Sequence, residues 1–109
     1  AKRGEVWLVD LGLAAKVRPC LVLSVPPERG DRVLCTLVPH TTSVRGTPYE
    51  VPVPKPFLKP GAFDAQGIVT IGPAHMIRKL GALNAVEMEQ HDQFLVITNY
   101  KKFSEKMFL

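Results

Sequence analysis

Two stretches of this sequence place residue types side by side that can act on a phosphate ester. Arg18 stands before Pro19 and the apolar run Leu21 to Val25, at a point where a loop is expected to enter a sheet. A guanidinium held there by stiff backbone can grip a phosphate through two parallel hydrogen bonds. Taken alone, an arginine before a proline is more often an ordinary exposed residue. The run His40-Thr41-Thr42-Ser43 offers three consecutive hydroxyls, with the backbone N–H groups around them, as donors to phosphate oxygens. Its plainer alternative is a turn whose hydroxyls satisfy local backbone groups.

The three histidines are the acid–base candidates, because a histidine pair is an obvious acid and base for RNA cleavage. His91 falls in an expected helix and reads as a solvated position. His75 falls in a short turn from which it could approach a site. His40 adjoins the threonine pair and is the one singled out. Lys55, Lys59, Lys79, Lys101, Lys102 and Lys106 read as solvated surface. Trp7 and Phe57 read as core, and Met76 and Met107 as packing residues. There is no phosphate-cradling Gly-rich loop before a helix, no H-E-x-x-H and no G-x-S-x-G. Cys20 and Cys35 each lie in an apolar stretch and read as buried, reduced thiols. With no C-x-x-C and scattered histidines, the pattern gives no metal set, and no cofactor is indicated.

These groups must be held by short strands. Glu5 to Asp10, Leu21 to Val25, Val33 to Val38, Tyr49 to Val53 and Gly67 to Ile71 carry the β-branched and aromatic residues that strands favour. Pro39 is expected to end the third apolar run. Pro26 to Asp31 and Arg45-Gly46-Thr47-Pro48 read as turns. Lys55 to Gly61, with Pro56 and Pro60, reads as an irregular connection. Pro73 to Lys79 could form a short helical turn, and Leu80 to Leu83 a short extended piece. One helix is expected from Asn84, with Asn84 and Glu87 as a capping box, through Phe94, Leu95 and Ile97 to Lys101-Lys102.

The chain has 109 residues, 14 basic against 10 acidic, 46% hydrophobic and 22% charged. That is one domain of ordinary composition, with a thin core at this size. Ten prolines and eight glycines between short apolar runs disfavour a helical bundle. No apolar run approaches the length of a membrane span, and no signal-peptide core follows Ala1-Lys2-Arg3-Gly4. The reduced thiols point to the cytoplasm. A net charge of +4 permits a polyanionic partner. Short strands followed by one helix predict a mainly β fold, a small bent barrel with a C-terminal helix, and a second copy of the subunit could cover remaining apolar surface.

In sequence order, five segments resemble the MazF/PemK/Kid family of toxins. They are Arg3-Gly4-Glu5-Val6-Trp7-Leu8-Val9-Asp10, Arg18-Pro19-Cys20-Leu21-Val22-Leu23-Ser24, Val38-Pro39-His40-Thr41-Thr42-Ser43, Gly67-Ile68-Val69 and Ile77-Arg78-Lys79-Leu80. Tyr49-Glu50-Val51 follows the third, as in the family. The likeness implies an SH3-like, PemK-like barrel assembled as a homodimer. It implies a toxin of a type II toxin–antitoxin system, an endoribonuclease that cuts single-stranded RNA without a metal. The family's catalytic arginine and first threonine fall on Arg18 and Thr41. An RNA groove would be lined by Lys16, Thr42, Ser43, Arg78, His40 and His75, and the acidic, disordered tail of a cognate antitoxin would lie in it. Three features depart from the family. The first loop is short, His75-Met76 stands where an acidic-Gln pair is common, and His40 replaces an apolar residue or Cys.

The chemistry fits that likeness. RNA supplies its own 2′-hydroxyl nucleophile, and charge built on the phosphoryl oxygens would be met by Arg18 and the Thr41 hydroxyl. Arginine stays protonated, so Arg18 is a stabiliser first and an acid second. The base stays open among His40, His75 and water. The rival expectation is a non-catalytic module on the same barrel, either a nucleic-acid-binding protein or a gyrase-inhibiting toxin, the latter dependent on residues near Met107-Phe108-Leu109.

Overall fold

The computed structural model describes residues 1–12, 16–25, 29–30 and 33–92. Seven strands appear in it: β1 (Glu5–Asp10), β2 (Val17–Val22), β3 (Cys35–Thr41), β4 (Glu50–Val51), β5 (Ala62–Asp64), β6 (Val69–Ile71) and β7 (Met76–Ala82). A 3₁₀ turn (Pro73–His75) precedes β7, and helix α1 covers residues 85–92. The antiparallel order is β4-β5-β3-β2-β1-β7, with β6 also paired to β3. The described strands form this open order, with β4 and β7 at its ends, rather than a closed ring.

Several boundaries differ from the sequence expectations, and two prolines explain the largest shifts. Arg18 and Pro19 lie inside β2, not in a loop before it, and Pro39 lies inside β3 instead of ending it. Proline cannot donate to a ladder. At Pro19, β2 is paired to β1, while its pairing with β3 starts only at Cys20. At Pro39, β3 is between partners on its second side: β6 pairs with Cys35–Leu37 and β5 with His40–Thr41. Each proline therefore sits where one flank of its strand makes no ladder bond. β5 has no signal in the sequence; three residues after Pro60-Gly61 carry no period and become a strand through pairing with β3 and β4. The expected helical turn over Pro73 to Lys79 is confined to Pro73–His75, and the extended piece at Leu80 belongs to β7.

Both faces of the central strands are apolar. Val6, Leu21 and Val38 face one cluster with Val51, Val53, Phe63 and Leu83. Val9, Cys20, Val22 and Leu37 form a second cluster, flanked by Trp7, Leu11 and Met76. Cys20 is buried and Cys35 half-buried, and both are free thiols. Burial pushes the Cys20 thiol up to about 12, so it stays protonated.

The capping box forms as expected. The Asn84 N–H donates to Glu87 Oε1 and the Glu87 N–H to Asn84 Oδ1, both at 2.9 Å. Glu87 Oε1 also meets Lys55 Nζ at 2.7 Å, which ties the 55–61 connection to the start of α1 and removes Lys55 from the freely solvated set. His91 contradicts its expected solvated position. It is fully buried, its ring edges onto Phe63 with centroids 5.9 Å apart, and neither ring nitrogen has a hydrogen-bond partner among the described residues. The expected helix beyond residue 92, the lysines at 101, 102 and 106, Met107-Phe108-Leu109, Leu13 to Ala15 and most of the Pro26 to Asp31 turn lie outside the described residues.

Candidate active-site cleft

The end of β3 and the start of β2 build the site. The β2–β3 ladder pairs Val22 with Leu37, Leu21 with Val38 and Cys20 with Pro39. The paired residues end there, and the same register carried two residues further would set Arg18 across from Thr41. Side chains two apart on a strand share a face, so both belong to the face of Cys20. On the other flank, β1 sets Val9 beside Arg18 and Leu8 beside Arg78 of β7. Register alone therefore gathers residues far apart in sequence.

A cleft of about 480 Å³ opens here. Lys16, Arg18, His40, Thr41, Thr42, Ser43 and Arg78 all line it. These are seven of the eight residues expected from the sequence. His75 is not among the lining residues; it ends the exposed 3₁₀ turn. The sequence reading missed Phe57 and Lys59, which line the cleft with Leu8, Pro19 and Leu80. A basic residue two places from an aromatic in a proline-rich connection is the signal that could have found them. Phe57 packs across Gly81, where a Cβ would overlap the Phe57 ring carbons.

The Thr41 hydroxyl accepts the Ser43 N–H at 3.0 Å. The local turn expected as the plain alternative is thus real, and it fixes the Thr41 oxygen in place. A hydroxyl has one donor besides its lone pairs, so the hydrogen of Thr41 remains available to a ligand oxygen. Backbone packing adds to this: Gly61 lies on Thr41, and a Cβ at Gly61 would press into the Thr41 carbonyl oxygen and stand 2.8 Å from His40 Cε1.

His40 is 4% exposed, and its ring meets Phe63 edge-on at 5.1 Å. Burial holds its pKa below the usual histidine value. The imidazole is neutral at pH 7 and keeps a lone pair, the state a base needs. Beyond Ser43, the chain turns back under the control of Glu50. Its carboxylate accepts the N–H groups of Arg45 and Thr47, each at 2.8 Å, which lowers its pKa.

Lys16 is the one non-glycine residue among those described with a left-handed backbone, at φ +58°. Its N–H donates to the Gly12 carbonyl at 2.7 Å and its carbonyl accepts the Leu11 N–H at 2.9 Å, so it closes the β1–β2 hairpin at the cleft rim. Among the described residues, no three His, Cys, Asp or Glu side chains come together as a metal set. None of the described helices is long and apolar enough to cross a membrane.

Known structures share this arrangement of strands. An endoribonuclease from a mycobacterial species, solved in complex with its cognate antitoxin, is 25% identical; the match covers 89% of this chain and 92% of that one, with a TM-score of 0.75. The Mycobacterium tuberculosis toxin MazF-mt6 is 27% identical over 84% of this chain and 91% of that one, at a TM-score of 0.71. A MazE–MazF structure from Deinococcus radiodurans, 22% identical over 87% and 90% of the respective chains, has the same fold at a TM-score of 0.71. No curated protein matches the chain. Residues 2–98 match one family throughout, and with the strand order and cleft above, the chain belongs to the PemK-like, MazF-like toxins of type II toxin–antitoxin systems.

Proposed function

We propose that this toxin is an endoribonuclease that cuts single-stranded RNA, with Arg18 and Thr41 as its catalytic residues. One observation carries the reading: Arg18 and Thr41, from the neighbouring strands β2 and β3, line one cleft together with Lys16, Arg78 and Lys59. The cleft is a cationic groove with an apolar wall, the combination that holds a phosphate backbone and splayed bases.

The substrate's 2′-hydroxyl attacks the adjacent phosphorus, and the bond to the 5′-oxygen of the next nucleotide breaks. Negative charge builds on the phosphoryl oxygens and is met by the Arg18 guanidinium and the Thr41 hydroxyl. One such donor contributes roughly 10²–10³ in rate. His40, neutral in its buried seat, or a water accepts the 2′ proton. A proton delivered to the leaving oxygen gives a 5′-hydroxyl end, and the other end is a 2′,3′-cyclic phosphate or, after hydrolysis, a 3′-phosphate. Thr42 and Ser43 add donors at the mouth of the cleft. The groups in these steps come from the chain, the RNA and water, so the reaction is expected to proceed in EDTA.

The working form in this reading is a cytoplasmic homodimer of single-domain subunits. Val17 and Ile77, each about half exposed beside the cleft residues Arg18 and Arg78, are apolar surface that a second subunit would cover. In this reading the cognate antitoxin presents an acidic, disordered tail that occupies the same groove; a mycobacterial relative is solved with its cognate antitoxin bound. Ordering that tail on binding lowers its affinity per unit area but lets it cover the whole groove.

The test is incubation of the purified protein with a long single-stranded RNA in EDTA, beside Arg18→Ala, with the fragment ends mapped. Discrete cuts by the parent alone, leaving 5′-hydroxyl ends, are expected. Cutting by Arg18→Ala at the parental rate would remove the site assignment. No cutting of varied RNAs by folded, antitoxin-free protein would move the reading to a non-catalytic binding module.

A further inference from the structure

A second cleft of about 380 Å³ lies beside the first, in the bend of the connection between β4 and β5. Val53, Pro54, Leu58 and Pro60 form its apolar surface, and Lys59 stands on the rim of both clefts. Its shape is held from two sides. Lys55, on its wall, is locked to Glu87 at the start of α1, and Gly61, at its far end, is seated on the Thr41 backbone. Lys55 is neutralised by that pair, whereas Lys59 is exposed and has no acidic partner among the described residues. The free positive charge therefore lies at the junction of the two clefts.

We propose that this second cleft is a subsite for a nucleotide flanking the cut linkage. The inference rests on the ribonuclease reading above. The RNA strand leaves the main cleft over Lys59, which neutralises the phosphate at the crossing, and the next base lies against Pro54, Pro60 and Leu58. Prolines and leucine offer apolar contact to a base face and no hydrogen-bond pattern, so the subsite adds affinity and reach rather than base identity. The protein thus senses a strand longer than the linkage it cuts.

The experiment begins with the parent and a long RNA, to map the cut site. Oligonucleotides carrying that site are then made with a 2′-deoxy sugar at the cut, which removes the nucleophile, and are trimmed one nucleotide at a time from each end. Dissociation constants are measured against salt for the parent, Lys59→Ala and Pro54→Glu, with thermal melts confirming that each variant folds. For the parent, restoring the flanking nucleotide on one side is expected to tighten binding and steepen the salt dependence by about 0.7 in log–log slope, one phosphate contact on a single strand. Lys59→Ala should lose that increment of slope, and Pro54→Glu should lose most of the tightening. A parent that cuts the long RNA yet binds trimmed and full oligonucleotides alike would overturn the subsite while leaving the ribonuclease reading standing. Lys59→Ala with the parental slope increment would do the same. A parent that cuts no RNA would overturn the reading on which the subsite rests.

Discussion

Gly61→Ala tests whether Thr41 is held in place by backbone packing rather than by its side chain alone. Gly61 precedes β5 and lies on the end of β3. An added Cβ there meets the Thr41 carbonyl oxygen far inside van der Waals contact and His40 Cε1 at 2.8 Å. The first neighbour is backbone, so the overlap is relieved by moving β3 against β5, and Thr41 moves with it. Overpacking of this kind costs about 1–3 kcal/mol, which in a domain of this size lowers Tm by roughly 4–8 °C per kcal/mol. A shift near 1 Å in a reacting group can cost ~10² in rate, so the loss of cleavage should be large at temperatures where the variant is fully folded. Gly72→Ala is the control. Its φ of −77° suits alanine and nothing lies within 4 Å of the added Cβ, so it should stabilise by about 0.4–1 kcal/mol and leave cleavage unchanged. The assay is a thermal melt paired with single-turnover cleavage of a mapped RNA. Parental Tm and rate in Gly61→Ala would refute the argument that this seat positions Thr41.

Four further predictions follow from particular side chains. His91→Leu removes two buried, unpartnered nitrogens, and should stabilise the protein by roughly 1–2 kcal/mol in a denaturant melt. Burial depresses the pKa of His91, with Asp92 opposing and Arg3 reinforcing the shift. Its folded pKa lies below the unfolded value, so stability should fall as pH drops below about 6.5, and the leucine variant should lose part of that fall. Glu5 is held at about 2, mainly by the Lys2 N–H and by Lys79; its contribution is complete above the ordinary carboxylate pKa and is lost as pH falls towards 2, so Glu5→Gln should flatten the acid limb of the stability curve. Arg18→Lys keeps the charge but loses the two-pronged grip, and should cleave at least tenfold more slowly with an unchanged melt. Cys20, with its thiol pushed up to about 12, should resist iodoacetamide at pH 8 in the native protein and react after unfolding, as mass spectrometry of the labelled peptides will show.

The sequence made the cleft more legible than the strands that build it. Arg18, Thr41 and their neighbours stand out because a guanidinium before a proline and a run of hydroxyls are each local patterns. Their convergence needs only antiparallel pairing of β2 with β3. The capping box of Asn84 and Glu87 was legible because its chemistry is local. Strand ends were not, because Pro19 and Pro39 were read as stops, and whether a proline stops a strand depends on which flank is paired. β5 was hidden because Ala62–Asp64 has no period of its own. His91 was misread because its surroundings, Phe63 above all, come from a distant part of the chain. In sequence Lys59 and Phe57 read as surface and core, and only the folded connection shows that both reach the cleft.

The two apolar faces of β1, β2 and β3 carry a consequence for how the chain finds its pairing. In a sheet with one wet face, a one-residue slip turns polar side chains inward and is rejected by solvation. Here Val6, Leu21 and Val38 could exchange faces with Val9, Cys20, Val22 and Leu37 at little such penalty. Alignment must then be set by features that do not repeat along the strands. The left-handed Lys16 closing the first hairpin, the two irregularities where β1 meets β7 and the partner exchange at Pro39 are such marks. Changes at these positions should therefore show themselves less as lowered melting than as mispaired, aggregating chains, a fault of assembly rather than of stability.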